Sequence, residues 1–326
     1  MTKMRLAYSL GSLLSIEEIL SCAKIASKYN PDSIWIPETW GMEAYSILSS
    51  VSQIVKNSQI GSSIINIYSR TPTLIAMGAA TIDTLSGKRL ILGLGTSSEA
   101  IVEEWHGLKF INPIQRMREY VDIIRLVLSG NQVNYDGKFF HLKNFTLLVN
   151  PSRKNIPIYL AAVNEKMVNL ALEIAEGIIF YLRPIDELKN TIKKMQSKKK
   201  IDIACQIITC ISYDSEKAIV RAKKTLAFYI SVGGIYRTFL AKNGFAAETK
   251  DIYDEFRRSG LKSNYQLVTE KMLDSLVICG TPQDCIKKLQ GFVNAGVTLP
   301  IIQFNPIGDV VASFKLLTST LSGNQP

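Results

Sequence analysis

Short apolar runs recur along the chain, and almost every one is followed by a stretch with helical periodicity. The runs at 4–10, 33–36, 60–65, 90–94, 158–161, 178–181, 203–211 and 299–304 make eight candidate strands. The intervening stretches repeat apolar residues at i, i+3, i+4 and i+7, as in Ile16, Ile19, Leu20 and Cys22-Ala23, which is the stripe of an amphipathic helix. Start signals agree with this reading. Ser15 with Glu18 and Thr281 with Asp284 form capping boxes, and Pro72 and Pro113 stand at first helical positions. Strands that alternate with helices imply parallel β–α units, because parallel neighbours need a long crossover. Eight such units with short strands favour a closed (β/α)8 TIM barrel over an open sheet.

Two stretches break the alternation. A hairpin is expected near 133–142, where Asp136-Gly137 separates strand-like triplets. A mostly polar, helical excursion spans about 233–277. Both read as insertions in one domain covering 1–326.

Composition excludes several classes. Hydrophobic residues make up 47% and charged residues 20%, enough for a packed core rather than disorder. No apolar run approaches the ~18 residues of a membrane span, so no membrane partner is expected. Lys3, Arg5 and the apolar 6–14 imitate a signal peptide, but Glu17 and Glu18 follow at once, and strand, turn and helix fit better. The net charge of +10 has its densest run at Lys193-Lys194 and Lys198-Lys199-Lys200, without interleaved aromatics. That pattern reads as a solvated helix end and not a nucleic-acid surface, while the overall excess favours small anions. Five cysteines without a C-x-x-C and only two histidines offer no metal-site spacing and suit a reducing cytoplasm.

In a barrel of this kind chemistry sits at the C-terminal ends of the strands. Those ends carry Ser9, Pro37-Glu38-Thr39-Trp40, Ile65-Asn66, Gly95-Thr96-Ser97-Ser98-Glu99, Ala161-Ala162-Val163-Asn164 and Tyr181-Leu182-Arg183. Glu38 and Glu99 are the candidate catalytic carboxylates, able to position a ligand or relay a proton. Gly93-Leu94-Gly95 lacks the third glycine of a dinucleotide fingerprint. Gly95 would instead let a flat ligand approach the backbone, with Thr96 and Ser97 supplying hydroxyls, although an ordinary strand-to-helix turn needs the same residues. Ala161, Ala162 and Val163 lead into a helix at Glu165, whose free N–H groups suit a phosphate, and Gly177 would leave room beside it. His106 and His141 read as structural, and Cys205 and Cys210 as core fillers.

The strings from Asp32 to Glu38, from Gly61 to Pro72 and from Ser86 to Gly95 resemble consecutive motifs of the luciferase-like barrel superfamily. Arg116-Met117-Arg118-Glu119-Tyr120, Asp136-Gly137, the string from Ile156 to Ala162, and Gly280-Thr281-Pro282 through Val297 continue the resemblance over nearly the whole chain. That superfamily contains FMN-dependent monooxygenases and reductases or dehydrogenases that use the deazaflavin coenzyme F420. The segment from Ile65 to Pro72 most resembles the deazaflavin branch, above all methylenetetrahydromethanopterin reductases. The resemblance implies hydride transfer between the deazaflavin and a small-molecule substrate, a one-carbon pterin in that reductase. It implies a bulge with a cis peptide at Ser63-Ile64 against the back of the ring, Ile65 stiffening it and Asn66 near the polar edge. It also implies Glu38 at the cofactor, and a homodimer through the helices at 45–55 and 72–85, where Gly78-Ala79-Ala80 would permit close packing. The chain departs from the reductase pattern at Leu6-Ala7-Tyr8-Ser9, which lacks an acid, and at Glu38-Thr39, where an Asp-His pair is common. An FMN-dependent monooxygenase and a flavin-binding protein without catalysis remain the alternative readings.

Overall fold

The computed structural model describes residues 4–11, 13–39, 41–197 and 199–323. Ser12, Trp40 and Lys198, expected in a turn, at a strand end and at a helix end, lie outside the described residues. The strands in chain order are β1 (Ala7–Ser9), β2 (Ser33–Ile36), β3 (Gln59–Ser62), β4 (Ile65–Asn66), β5 (Leu90–Gly95), β6 (Val133–Asp136), β7 (His141–Phe145), β8 (Ile158–Ala161), β9 (Gly177–Tyr181), β10 (Asp202–Ile211), β11 (Ile278–Gly280) and β12 (Leu299–Phe304). The helices are α1 (Ile16–Ala26), α2 (Ala44–Ile54), α3 (Pro72–Leu85), α4 (Pro113–Leu128), α5 (Glu165–Ile174), α6 (Ile185–Gln196), α7 (Ser215–Val232), α8 (Gly234–Leu240), α9 (Ala246–Ser259), α10 (Glu270–Leu276), α11 (Pro282–Asn294) and α12 (Val310–Gly323).

Parallel pairing runs β12–β1–β2–β3–β5–β8–β9–β10, and β10 pairs back to β12, so the sheet closes as the expected barrel. The third barrel strand is split into β3 and β4. The barrel interior is filled by Ala7, Trp35, Ile91, Tyr159, Ile179, Ala204, Leu299 and Ile301, small side chains alternating with large ones. Each fully buried large apolar side chain contributes roughly 1.5–3 kcal/mol. Trp35 is fixed by its ring N–H, which donates to Ser33 Oγ at 2.8 Å. Arg5 bridges Asp32 (2.7 Å) and Asp202 (2.8 Å) at the N-terminal end of the barrel, and Tyr159 and Thr298 also donate to Asp202.

The hairpin at Asp136-Gly137 is present as β6–β7. It is clamped to α4 by Glu119, whose carboxylate accepts from the N–H groups of Lys138 and Phe139, both at 2.9 Å. The excursion folds as α8, α9 and α10 on α7, around a second core that includes Leu226, Ile230, Leu240, Phe245, Ile252 and Met272. One strand escaped the sequence reading. β11 extends β10 outward through Thr209↔Ile278 and Cys210↔Cys279, and three residues carry too short a pattern to read. All five cysteines are free and buried. No helix among the described residues is long and apolar enough to cross a membrane.

Candidate active site

A cavity of about 1440 Å³, its open mouth included, sits at the C-terminal ends of the barrel strands. One wall is made by the break in the third strand. Between β3 and β4 the Ser63–Ile64 peptide is cis, as the resemblance implied, and Ile64 lines the cavity. The neighbouring strand has the residues this requires. A Cβ on Gly93 would lie 1.8 Å from the carbonyl oxygen of Ser62, and one on Gly95 would lie 2.6 Å from Ile64 Cδ1. Ser62 Oγ locks the two strands, accepting from Gly93 N–H and donating to Gly93 C=O, each at 2.9 Å. The glycines of β5 therefore make room for the chain's own break as well as for any ligand.

The seventh of eight barrel strands faces the third across the barrel, so β10, with its neighbours β9 and β12, forms the far wall. From it Tyr181, Gln206 and Gln303 line the cavity, with Tyr229 from α7 and Tyr236 from α8. Gln206 Nε2 donates to Gln303 Oε1 at 3.3 Å, which leaves Gln206 Oε1 buried without a partner. On the near wall Ser63 Oγ is also buried and unpartnered. Burial raises the Tyr181, Tyr229 and Tyr236 hydroxyls above the ordinary tyrosine range, so all three stay protonated and can donate. The nearby polar groups of Tyr181 and Gln303 offset part of that rise at Tyr229, while the Tyr181 hydroxyl itself is buried without a hydrogen-bond partner. The tyrosines meet edge to face, Tyr181 at 5.2 Å from Tyr229 and 5.4 Å from Tyr236. The rim is apolar, with Leu13, Val232 and Ile235 exposed around the mouth.

Thr96, Ser97, Ala161, Ala162 and Val163 line the cavity as their strand-end positions required. Asn164 caps α5 by accepting from Met167 N–H at 3.0 Å, leaving the other first-turn N–H groups without intrahelical partners. Arg183 braces this turn rather than facing the cavity. It donates to Val163 C=O at 2.6 Å, and its guanidinium stacks between Phe180 and Phe239.

Other expected site residues stand elsewhere. Glu38 lines the cavity, but its carboxylate is committed to Arg70 (2.6 Å), Ser69 (3.3 Å) and the N–H of Ala44 (3.0 Å). It anchors α2 and the loop after β4 instead of offering a free base. Glu99 is exposed and outside the cavity, although Ser98 before it and Ile101 after it line the wall. Ile65 is buried in the core between barrel and helices. Asn66 lines a smaller neighbouring pocket, and its Oδ1 accepts from Tyr68 N–H at 2.9 Å. Gly177 lies at the opposite, N-terminal end of β9, where its missing Cβ leaves space for the Tyr159 ring at 2.5 Å, so it cannot attend a phosphate at the mouth. Sequence reasoning missed Gln206, Gln303, Tyr229 and Tyr236. The signal for the two glutamines was present: an amide inside a buried strand needs a polar reason.

The luciferase-like monooxygenase family model matches residues 2–299. The chain belongs to that family. Among its relatives, a protein of Mycobacterium tuberculosis named, provisionally, as a coenzyme F420-dependent oxidoreductase is 29% identical over 298 residues, covering 83% of this chain and 86% of that one. The 5,10-methylenetetrahydromethanopterin reductase of Archaeoglobus fulgidus is 29% identical over 309 residues, covering 90% and 91%. The solved structure of the coenzyme F420-dependent tetrahydromethanopterin reductase of Methanopyrus kandleri superposes with a TM-score of 0.88 over 100% of both chains, at 22% identity. The luciferase-like fold thus extends along the whole chain.

Proposed function

We propose that this protein is a cytoplasmic coenzyme F420-dependent oxidoreductase that transfers a hydride between the deazaflavin and a small organic substrate, with methylenetetrahydromethanopterin the first candidate. The observation that carries the reading is the two-walled cavity. Ile64 offers an apolar wedge against one face of a flat ring, while the facing wall presents hydrogen-bonding groups with space between. Three buried unpartnered atoms in the cavity lining, Ser63 Oγ, Gln206 Oε1 and the Tyr181 hydroxyl, would be satisfied by a ligand with alternating N–H and C=O edges. The names of the relatives support the same cofactor.

When bound, the deazaflavin supplies or accepts the hydride at its central ring. The chain's own residues do the rest. Ile64 would cover one face of a ring held in the cavity and leave the substrate the side of β10 and α7. Thr96, Ser97 and the first turn of α5 would hold the polar side chain and phosphate of the cofactor. Among the described residues no carboxylate is free in the cavity, since Glu38 is paired and Glu99 lies outside. The proton donor proposed here is therefore the Tyr229 hydroxyl, which lines the cavity beside Tyr181 and Gln303.

The protein is also proposed to be a homodimer. Gly78 does not face a partner, because its missing Cβ accommodates the Tyr45 ring of α2 at 2.5 Å. The outward face of α3 instead exposes Leu74, Met77 and Leu85, an apolar stripe suited to a second copy. The functional reading is tested by anaerobic turnover. Reduced F420 should be reoxidised by methylenetetrahydromethanopterin or by a member of a panel of carbonyl and imine acceptors. Turnover that requires FMNH2 and oxygen, with reduced F420 inert, would overturn it.

A further inference from the structure

A second concave site lies away from the cavity, between α7 and the loop that follows β12. Its lining includes Lys217, Arg221 and Lys224 from α7 and Pro306, Ile307 and Gly308 from the loop. The three cations are spaced by four and three residues, which places them on one helix face. Asp214 and Glu216 also line the groove, so the local balance is three positive charges against two negative. The charges are not equally committed. Lys217 pairs with Asp214 at 3.3 Å, and Lys224 stands 5.1 Å from the Tyr265 ring. Arg221 is half-buried, its Nε is shielded from solvent without an acceptor, and no ion pair engages it among the described residues. A shielded guanidinium nitrogen without an acceptor is costly, and such groups in folded chains ordinarily have a partner. Opposite it, Gly308 adopts φ +70, with open space around the position of its missing side chain.

We propose that this groove is an oxyanion-binding site, in which Arg221 and Lys224, assisted by Lys217, hold a phosphate or carboxylate group. The planar fork of Arg221 supplies paired donors, and Lys224 adds a mobile charge. The groove shares its elements with the cavity. α7 carries Tyr229 and Val232 into the cavity and Arg221 into the groove, eight residues or about 12 Å apart along the helix. β12 contributes Gln303 and Phe304 to the cavity, and the loop after it walls the groove. An anionic tail of a ligand held in the cavity would reach the groove along these shared elements. The site itself stands on the groove's own residues, while the tail as occupant rests on the function proposed above.

Isothermal titration with inorganic phosphate and with tripolyphosphate tests the site. Wild-type protein should bind tripolyphosphate saturably. An Arg221→Gln/Lys224→Gln variant should bind at least tenfold more weakly, and Lys224→Gln alone should show a partial loss if the double variant folds poorly. Lys189→Gln/Lys193→Gln, an equal charge change on the exposed face of α6, should bind as wild type. Absence of saturable binding, or equal weakening in the α6 variant, overturns the proposal. A second titration uses F420 with and without its oligoglutamate tail. Weakening of only the glutamylated form in the groove variant assigns the site to the cofactor tail, and unchanged affinity for both forms assigns it to a substrate tail or free phosphate. If neither form binds wild-type protein, the F420 reading fails, while the phosphate titration still decides the groove.

Discussion

Gly93→Ala should damage the protein in a way that follows from one contact. The new Cβ would fall 1.8 Å from the Ser62 carbonyl oxygen and 3.1 Å from Ile179 Cδ1. The Ile179 end can rotate away, but the carbonyl belongs to backbone held between β2 and β5. Relief requires the strand to shift, which also strains the two hydrogen bonds between Ser62 Oγ and Gly93. Overpacking costs about 1–3 kcal/mol and each lost hydrogen bond about 1 kcal/mol, so the sum is about 3–5 kcal/mol. For a chain of 326 residues the unfolding entropy is roughly 0.7 kcal/mol per degree, so a 4 kcal/mol loss lowers Tm by about 6 °C. Because the strand that moves carries Ile64, cofactor affinity should also fall, by roughly tenfold for a displacement worth ~1.4 kcal/mol. Gly95→Ala is the control. Its Cβ would meet the Ile64 side chain, 2.6 Å from both Cδ1 and Cγ1 and 3.4 Å from Cβ, but no backbone carbonyl, so the stability cost should be smaller than for Gly93→Ala while the cavity wall changes. Thermal melts and cofactor titration of both variants provide the check. A Gly93→Ala protein that melts with wild type would refute the account of the split strand.

Three further outcomes are expected. Tyr229→Phe should lower turnover roughly a hundredfold and leave F420 affinity within about twofold, and an unchanged rate would remove Tyr229 from the proton path. The Asp202 carboxyl is opposed by burial, but hydrogen bonds from Thr298, Tyr159 and Arg5 outweigh it and hold the group below its ordinary value of 3.8. Its depressed folded value means the stabilisation is present above that ordinary value and is lost as pH falls through the folded one. Asp202→Asn should therefore be destabilised at neutral pH, with the gap to wild type narrowing below pH ~4 in urea melts; a gap independent of pH would contradict this. Leu74→Glu/Met77→Glu should sediment as a monomer where wild type sediments as a dimer, and identical profiles would exclude the α3 face.

Much of the architecture was legible because each barrel strand is a compact apolar run bounded by turn residues, as in Ser33–Ile36 and Leu299–Phe304. Helix starts were equally readable where side chains cap, as at Ser15 and Thr281. The site was legible only by address. Strand ends identified Thr96 and Ala161, and the family resemblance added Ser63 and Ile64, yet neither could say which carboxylate was free. Glu38 is spent on Arg70, a partner 32 residues away, and Glu99 is exposed outside the cavity although Ser98 and Ile101 beside it line the wall. Gly177 was misread because glycine at a strand start fits a ligand or a neighbouring ring equally well, and only the fold shows the Tyr159 ring there. Tyr229 and Tyr236 lie on helices beyond the strand ends and reach the cavity only because the excursion folds back over α7.

The central claim is that the cavity between Ile64 and the Gln206–Tyr229 wall is built for a deazaflavin. Equilibrium titration of the purified protein with oxidised F420 and with FMN, followed by cofactor absorbance and repeated on Ile64→Gly, tests it most directly. Saturable F420 binding that exceeds FMN binding and weakens in Ile64→Gly is the expected result. Preference for FMN, or F420 binding indifferent to the loss of Ile64, would contradict the account.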